Sequence, residues 1–386
     1  MPVNYINLRD QIKSMGEDAR SRQGQLHEAL LRCREALSRE AENLIDLQRL
    51  VEQALAQNKA LRCAVPVSEP LTTHLPAGLP APDCILLAAD GSQITPDPHD
   101  SVLYGLVNVG VFRMQTGSGK APDQFTTSTL LYGDSLQTES GLASEDLVGL
   151  LRDVRERQIL AKMAQQETAP VVTLTDGPLE LFGEPRLKSD REFGQYMAAL
   201  QDLALAGVIT AGYISRPRAA LLVTLLGLRE DGGTGRGADR AFLGISDIML
   251  LADLLAPGER SAIFQLQSMS SNKYEGRTAL HFFYLNVGSA SRPAFARVEI
   301  PLWVVEDPDA LALLQSVLVE QSRQIGSVPY PYPLLRAHEI AVVKLPEKQE
   351  LSRMIQAELL RQGLPLEQKS EKQFHKDILG TTRKTK

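Results

Sequence analysis

At 386 residues and 42.3 kDa, the chain is long enough for two average domains or for one enlarged α/β domain with a helical appendage, and a sizeable core is within reach. A hydrophobic fraction of 43% and a charged fraction of 23% are those of an ordinary globular protein and exclude wholesale disorder, while no stretch approaches the roughly 18 apolar residues of a membrane span. The net charge of -6 excludes nucleic-acid binding by bulk charge, because neutralised phosphates supply non-specific affinity, so any DNA contact must be a local basic channel or be shared with a partner.

The segment Met1 to Arg9 lacks the basic and apolar regions of a secretory signal, which gives a cytoplasmic expectation. Cys33, Cys63 and Cys84 are scattered and odd in number, without zinc or disulfide spacing, and read as core or surface thiols. Residues 1–64 form an expected N-terminal helical arm. Leu26, Leu30, Leu37, Leu44, Leu47 and Val51 recur at spacings of three, four and seven, and Gly16 and Gly24 suggest a break into a shorter and a longer helix. An arm for dimerisation or partner docking and a helix folded back on its own core are both consistent with that pattern.

Residues 65–82 form a proline-rich connector, the clearest composition shift in the chain. After it, Ile85 to Ala89 is a short apolar strand that runs into Asp90-Gly91-Ser92. Leu103 to Met114 and Phe125 to Tyr132 are two more expected strands, followed by a helix over 144–166, a strand Val171 to Leu174 ending in Asp176-Gly177, a helix Glu192 to Ala206 and a strand Val208 to Ile214. Three strands, then helix, strand, helix and strand, is the order of a ribonuclease H-like α/β core with a mixed sheet. Further on come a glycine-rich loop, Arg229 to Arg240, and a helix over Gly244 to Leu255. Strands are expected over Ala279 to Val287 and over Phe295 to Val305, the latter holding the only tryptophan, Trp303. A helix over Ala310 to Gln324, a last helix from near Lys348 and a basic mobile tail complete the C-terminal part, residues 346–386.

Asp90 and Asp176 each end an apolar strand and precede a glycine. In a parallel strand pair, carboxylates so placed open on one edge of the sheet, where oxygen ligands for Mg²⁺ or Mn²⁺ are needed in phosphodiester displacement. Asp-Gly after a strand is also a common turn. His338 follows the stiff run Val328-Pro329-Tyr330-Pro331-Tyr332-Pro333, which makes it a metal or proton-transfer candidate, and Arg216 and Arg218 at a strand end suit phosphate oxygens or a plain salt bridge.

The Asp90-Gly91-Ser92 and Asp176-Gly177-Pro178 motifs, the segment Gly212 to Arg218, the Arg260-Ser261 pair and the run Tyr330 to Glu339 together resemble the NurA nucleases, over roughly residues 80 to 345. The resemblance implies a ribonuclease H-like fold related to the Piwi core over residues 83–345. It also implies a Mn²⁺- or Mg²⁺-dependent DNA nuclease that acts as a homodimer on the hexameric ATPase HerA during processing of broken DNA. Carried over position by position, it makes Asp90, Glu156, Asp176 and His338 metal-binding and catalytic and Tyr330 a supporting catalytic residue. Asp153, Glu145 and Asp146 are alternatives to Glu156 for the middle acid. A non-catalytic adaptor or DNA clamp regulating the ATPase is the chief rival. A glycosidase would need sugar-stacking aromatics, which are only 5% of the chain, and the glycines at 232–237 do not form a phosphate-binding loop.

Overall fold

The computed structural model describes residues 4–97, 102–138, 141–142, 145–181, 190–235, 237–326 and 328–364, and the basic tail expected near the C-terminus lies outside them. The chain divides into two compact units: Met1–Pro82, Gly177–Glu180 and Ile209–Tyr332 form the first, and Asp83–Asp176, Leu181–Val208 and Pro333–Lys386 the second. Among the described residues, no helix is long and apolar enough to cross a membrane.

The second unit is built on a meander. Ile85–Ile94 runs antiparallel to Gly105–Gln115, which runs antiparallel to Asp123–Leu131, and Val171–Asp176 returns parallel to Ile85–Ile94 by way of the helix Glu145–Ala164. This is the ribonuclease H-like arrangement. The apolar runs of the first and fourth strands become buried strands because both of their faces are covered. The first strand is longer than its apolar run: its parallel pairing stops at Ala89↔Thr175, but its antiparallel partner continues to Ile94↔Leu106. Asp90 therefore sits inside a strand, where its end was expected.

Successive residues of that strand face opposite sides of the sheet. Gly91 faces the helix Glu145–Ala164, as contacts to Arg152 and Glu156 establish, whereas Ser92 faces the helix Tyr332–Ala341. That second helix comes down to backbone contact: a Cβ on Gly110 would lie 2.6 Å from the Ala341 nitrogen and 2.8 Å from the Ala337 carbonyl oxygen. Its last carbonyl, Ala341 O, accepts from Ser92 Oγ at 2.5 Å and from Asn108 Nδ2 at 2.7 Å, two cross-strand partners in register. Helix ends leave such carbonyls without intrahelical partners, so the two side chains fasten the helix to the sheet.

In the first unit, the strand order is Cys63–Pro66, Phe264–Gln267, Leu280–Asn286, Phe295–Pro301 and Ile209–Ser215, each antiparallel to the next. Residues of the proline-rich connector thus supply sheet, and His74–Pro76 pairs with Glu259–Ser261. The helix Leu221–Glu230 is buried along nearly its whole length. Buried Asp247 accepts from its first three backbone N–H groups, Leu221 at 2.7 Å, Leu222 at 3.1 Å and Val223 at 2.9 Å.

Several expectations shift. The first helix, Tyr5–Arg39, passes unbroken through Gly16 and Gly24, where nothing crowds the helix, and the chain bends only before Leu44–Gln57. The strand expected to reach Val305 ends at Pro301, which cannot donate to a ladder, and Trp303 lies on the helical turn Leu302–Val305. The helix expected over Gly244 to Leu255 contracts to Asp247–Leu251, N-capped by Ser246. Cys33, Cys63 and Cys84 are buried free thiols, and burial pushes those of Cys33 and Cys63 up to about 12.

The contact at Gly110 generates a prediction. Gly110→Ala forces a methyl group against the backbone of the Tyr332–Ala341 helix, so urea unfolding should show a loss of about 1–3 kcal/mol. A variant as stable as the parent would mean that the helix moves away from the sheet at no cost.

Candidate active site

Asp90 pairs in register with Gly110, on the sheet face that the Tyr332–Ala341 helix covers. Because Gly110 lacks a side chain, the helix approaches closely enough to bring His338 onto Asp90: Nδ1 lies 2.6 Å from Asp90 Oδ2. With its proton on Nδ1, the imidazole donates to the carboxylate. The His338 side chain is 58% exposed and that of Asp90 16%, so the pair sits at the rim of the unit with its ring open to solvent.

Gly91 serves the opposite face. A Cβ there would lie 2.4 Å from Arg152 Cγ and 2.6 Å from Glu156 Oε1, so glycine makes the space into which the Glu156 carboxylate reaches. Glu156 is buried on the helix Glu145–Ala164. Burial first, and then the charge of Asp153, push its carboxyl well above the usual carboxylate range; Asp90 adds to the repulsion, while Arg152 and Arg157 oppose it. Burial likewise raises Asp153, against the pull of Arg152. Arg152 bonds Asp153 at 2.9 Å and lies 3.5 Å from Glu156. Asp153 and Glu156, alternatives on sequence grounds, therefore share one guanidinium.

Asp176 closes its strand one residue beyond Ala89↔Thr175, the last pair of the parallel register, and so stands at the carboxyl end of that strand. The preceding Thr175 accepts at 3.0 Å from Arg157, whose guanidinium is buried and lies 5.5 Å from the Tyr196 ring centroid. Glu145 and Asp146, the remaining candidates for the middle acid, lie in the first turn of the Glu145–Ala164 helix, about three turns from Glu156.

The other candidates belong to the first unit. Tyr330 meets Tyr213 edge to face, with ring centroids 5.6 Å apart. Arg216 and Arg218 are exposed and, among the described residues, form no ion pair. Arg216 is the one described non-glycine residue with a positive φ, +48°, held there although Pro217 follows. Backbone strain of that kind concentrates at functional positions. Arg260 of the Arg260-Ser261 pair is buried and bidentate to Glu69 at 2.8 Å, a structural ion pair.

Asp90, Asp153, Glu156 and Asp176 with His338 are side chains of the types that suit a hard divalent cation, oxygen-rich with one imidazole. Burial, and then repulsion from Asp153 and Asp90, raises Glu156, and the repulsive part is a stress that such an ion would relieve. Among the described residues, no three His, Cys, Asp or Glu side chains already stand in a metal-binding group.

Fold and site together define an α/β protein of ribonuclease H-like fold with an acidic centre on the first strand of its meander. A NurA domain model matches residues 84–343, and the chain belongs to the NurA family. No curated protein sequence matches it. Among solved structures, it is similar to the NurA nuclease from Sulfolobus solfataricus, at 13% identity and a TM-score of 0.49, over 84% of this chain and 95% of that one. The catalytic domain of human endonuclease V matches at 14% identity and a TM-score of 0.32, over 84% of this chain and 99% of that one. Drosophila Piwi matches at 10% identity and a TM-score of 0.30, over 68% of this chain and 30% of that one.

The buried Glu156 makes a sign prediction. A carboxyl whose folded pKa lies above its unfolded value of about 4.3 binds protons more tightly when folded, so stability falls as pH rises from the unfolded toward the folded pKa. Glu156→Gln removes that loss. Without divalent metal, its melting temperature should exceed the parent's at pH 7 to 8, and the gain should fade towards pH 4. A melting temperature lowered at pH 8 would show that ionised Glu156 stabilises the fold.

Proposed function

We propose that this chain is a divalent-metal-dependent deoxyribonuclease that hydrolyses phosphodiester bonds at DNA ends, working as a homodimer beside a hexameric HerA-type ATPase in the processing of broken DNA. The observation that carries the reading is the contact between Asp90 and His338 at the edge of a repelling carboxylate group, in a NurA-family chain. The homodimer and the ATPase partner rest on the family resemblance.

Asp90, Glu156, Asp176 and His338 would hold the ion, with Asp153 next to them. When bound, Mn²⁺ or Mg²⁺ supplies Lewis acidity to a phosphate oxygen and lowers the pKa of water. The chain's own residues do the rest. Arg152 keeps Asp153 and Glu156 from repelling each other out of place. Asp90 holds the His338 ring in one orientation, which leaves its remaining nitrogen as the one that would meet the ion. Tyr330, as the resemblance implies, has a supporting role in binding phosphate. Arg216 and Arg218, exposed beside a strained turn, contact the DNA backbone.

The test is cleavage of end-labelled linear DNA by the purified chain with Mn²⁺, with Mg²⁺ and with excess EDTA. Cleavage should need metal but not ATP. Asp176→Asn, nearly isosteric but neutral, should keep the fold and lower the rate at least about a thousandfold. Activity undiminished in EDTA, or an Asp176→Asn rate within about tenfold of the parent, would leave the adaptor reading in its place.

A second measurement concerns the arginines. Arg216→Ala and Arg218→Ala should each weaken DNA binding and lower the slope of log K against log salt by roughly one. If affinity and slope both stay the same, neither side chain touches phosphate.

A further inference from the structure

The helix Tyr5–Arg39 carries a stripe at alternating steps of three and four residues, the spacing of a helix-pairing seam. Its C-terminal end is Ala29, Cys33 and Ala36, which are 7%, 0% and 2% exposed and sealed into the first unit's own core. Leu26 is the next residue of the stripe and seats on Gly244, where a Cβ would come within 2.7 Å of it. From there towards the N-terminus, the same stripe continues in register through Ala19, Met15, Ile12, Leu8 and Tyr5, with Arg22 its one charged member. Of the described side chains in 4–25, all but Leu8 are exposed, and Tyr5, Ile12 and Met15 are 72%, 57% and 65% exposed. Roughly 30 Å of helix thus leaves the body with the seam uncovered. Helices in water are marginal without a packed apolar face, so a continuous seam covered over only part of its length calls for a second helix.

Deepening the homodimer reading above, we propose that residues 5–25 pair antiparallel with the same residues of a second copy of this chain, about a two-fold axis at Met15. The sizes along the stripe are self-complementary in that direction only. Its N-terminal half is bulky, with Tyr5, Leu8 and Ile12, and its C-terminal half holds Ala19 and Arg22. About Met15, Ile12 falls opposite Ala19 of the second copy, and Leu8 falls opposite the aliphatic stem of Arg22, whose charged end reaches solvent. A parallel, in-register pair would instead press Arg22 against Arg22 in the seam. The antiparallel surface is isologous and closes at two chains.

Light scattering after size exclusion, with cysteine cross-linking, tests this on the full-length chain. The native thiols are buried and leave a clean background. Ile12→Glu combined with Met15→Glu should convert dimer to monomer, with dimer affinity falling at least tenfold and the melting temperature of the body unchanged, since neither residue is in the core. Met15→Cys alone should cross-link on mild oxidation. An equimolar mixture of Ile12→Cys and Ala19→Cys should cross-link as well, and Ile12→Cys alone should not. A double glutamate variant that stays dimeric overturns the helix pairing and leaves the homodimer standing on some other surface. Cross-linking by Ile12→Cys alone but not by the mixture overturns the antiparallel direction. A parent chain that is monomeric at every concentration and yields no Met15→Cys cross-link overturns both the pairing and the homodimer.

Discussion

The candidate site depends on how closely one helix can approach one sheet. Gly110 lets the Tyr332–Ala341 backbone settle onto the meander, and Ser92 and Asn108 hold the helix's last carbonyl there. Asp90 is the register partner of Gly110, so the same close approach delivers His338 to Asp90. Two residues far apart in sequence meet because the position opposite the first has no side chain. Small changes in that separation are costly, since interiors are packed too tightly for a helix to drift without losing contacts.

The strand divides its duties by parity. Asp90 and Ser92 address the helix Tyr332–Ala341, whereas Gly91, between them, addresses the helix Glu145–Ala164 and makes room for Glu156. Three consecutive residues therefore join two helices on opposite faces to one site. Glu156 is brought in at an electrostatic cost, buried and beside Asp153, with Arg152 as the partial remedy. A carboxyl made unfavourable in this way is stored stress, and stress of this sign is relieved by a positive charge. Stability in the absence of a bound cation favours a neutral side chain at this position.

Much of this was legible in the sequence, and the failures have physical causes. The meander and its parallel return follow from apolar runs separated by turn residues. Asp90 and His338 stand out because each terminates a distinctive run. That Gly91 and Asp90 look at different helices follows from strand alternation, but only once Asp90 is known to lie inside the strand; the apolar run stops at Ala89, and the polar continuation reads as a turn. Gly110 carries no signal, because a glycine in an apolar strand reads as a weak point until its neighbour is known. The Tyr332–Ala341 helix hides behind three prolines, although Pro333 stands at a position in the first turn where its missing N–H costs nothing. Leu221–Glu230 has no periodicity to read, being buried all round. Gly16 and Gly24 suggested a break because their intrinsic helix cost is visible in sequence, whereas the compensation from the flanking helix is not.

The charge balance leaves one question of mechanism, which is how a chain of net charge -6 can work on a polyanion. Arg62, Arg113, Arg152, Arg229, Arg260 and Arg297 are all engaged with carboxylates. Arg216 and Arg218 are exceptions, and the strained φ of Arg216 shows that the fold tolerates an unfavourable conformation to keep that turn. A pair of phosphate contacts yields only weak affinity at physiological salt. Such a site becomes effective when the strand is delivered to it at high local concentration, since tethering replaces intrinsic affinity with effective concentration. Delivery of the strand by the partner proposed above would supply this.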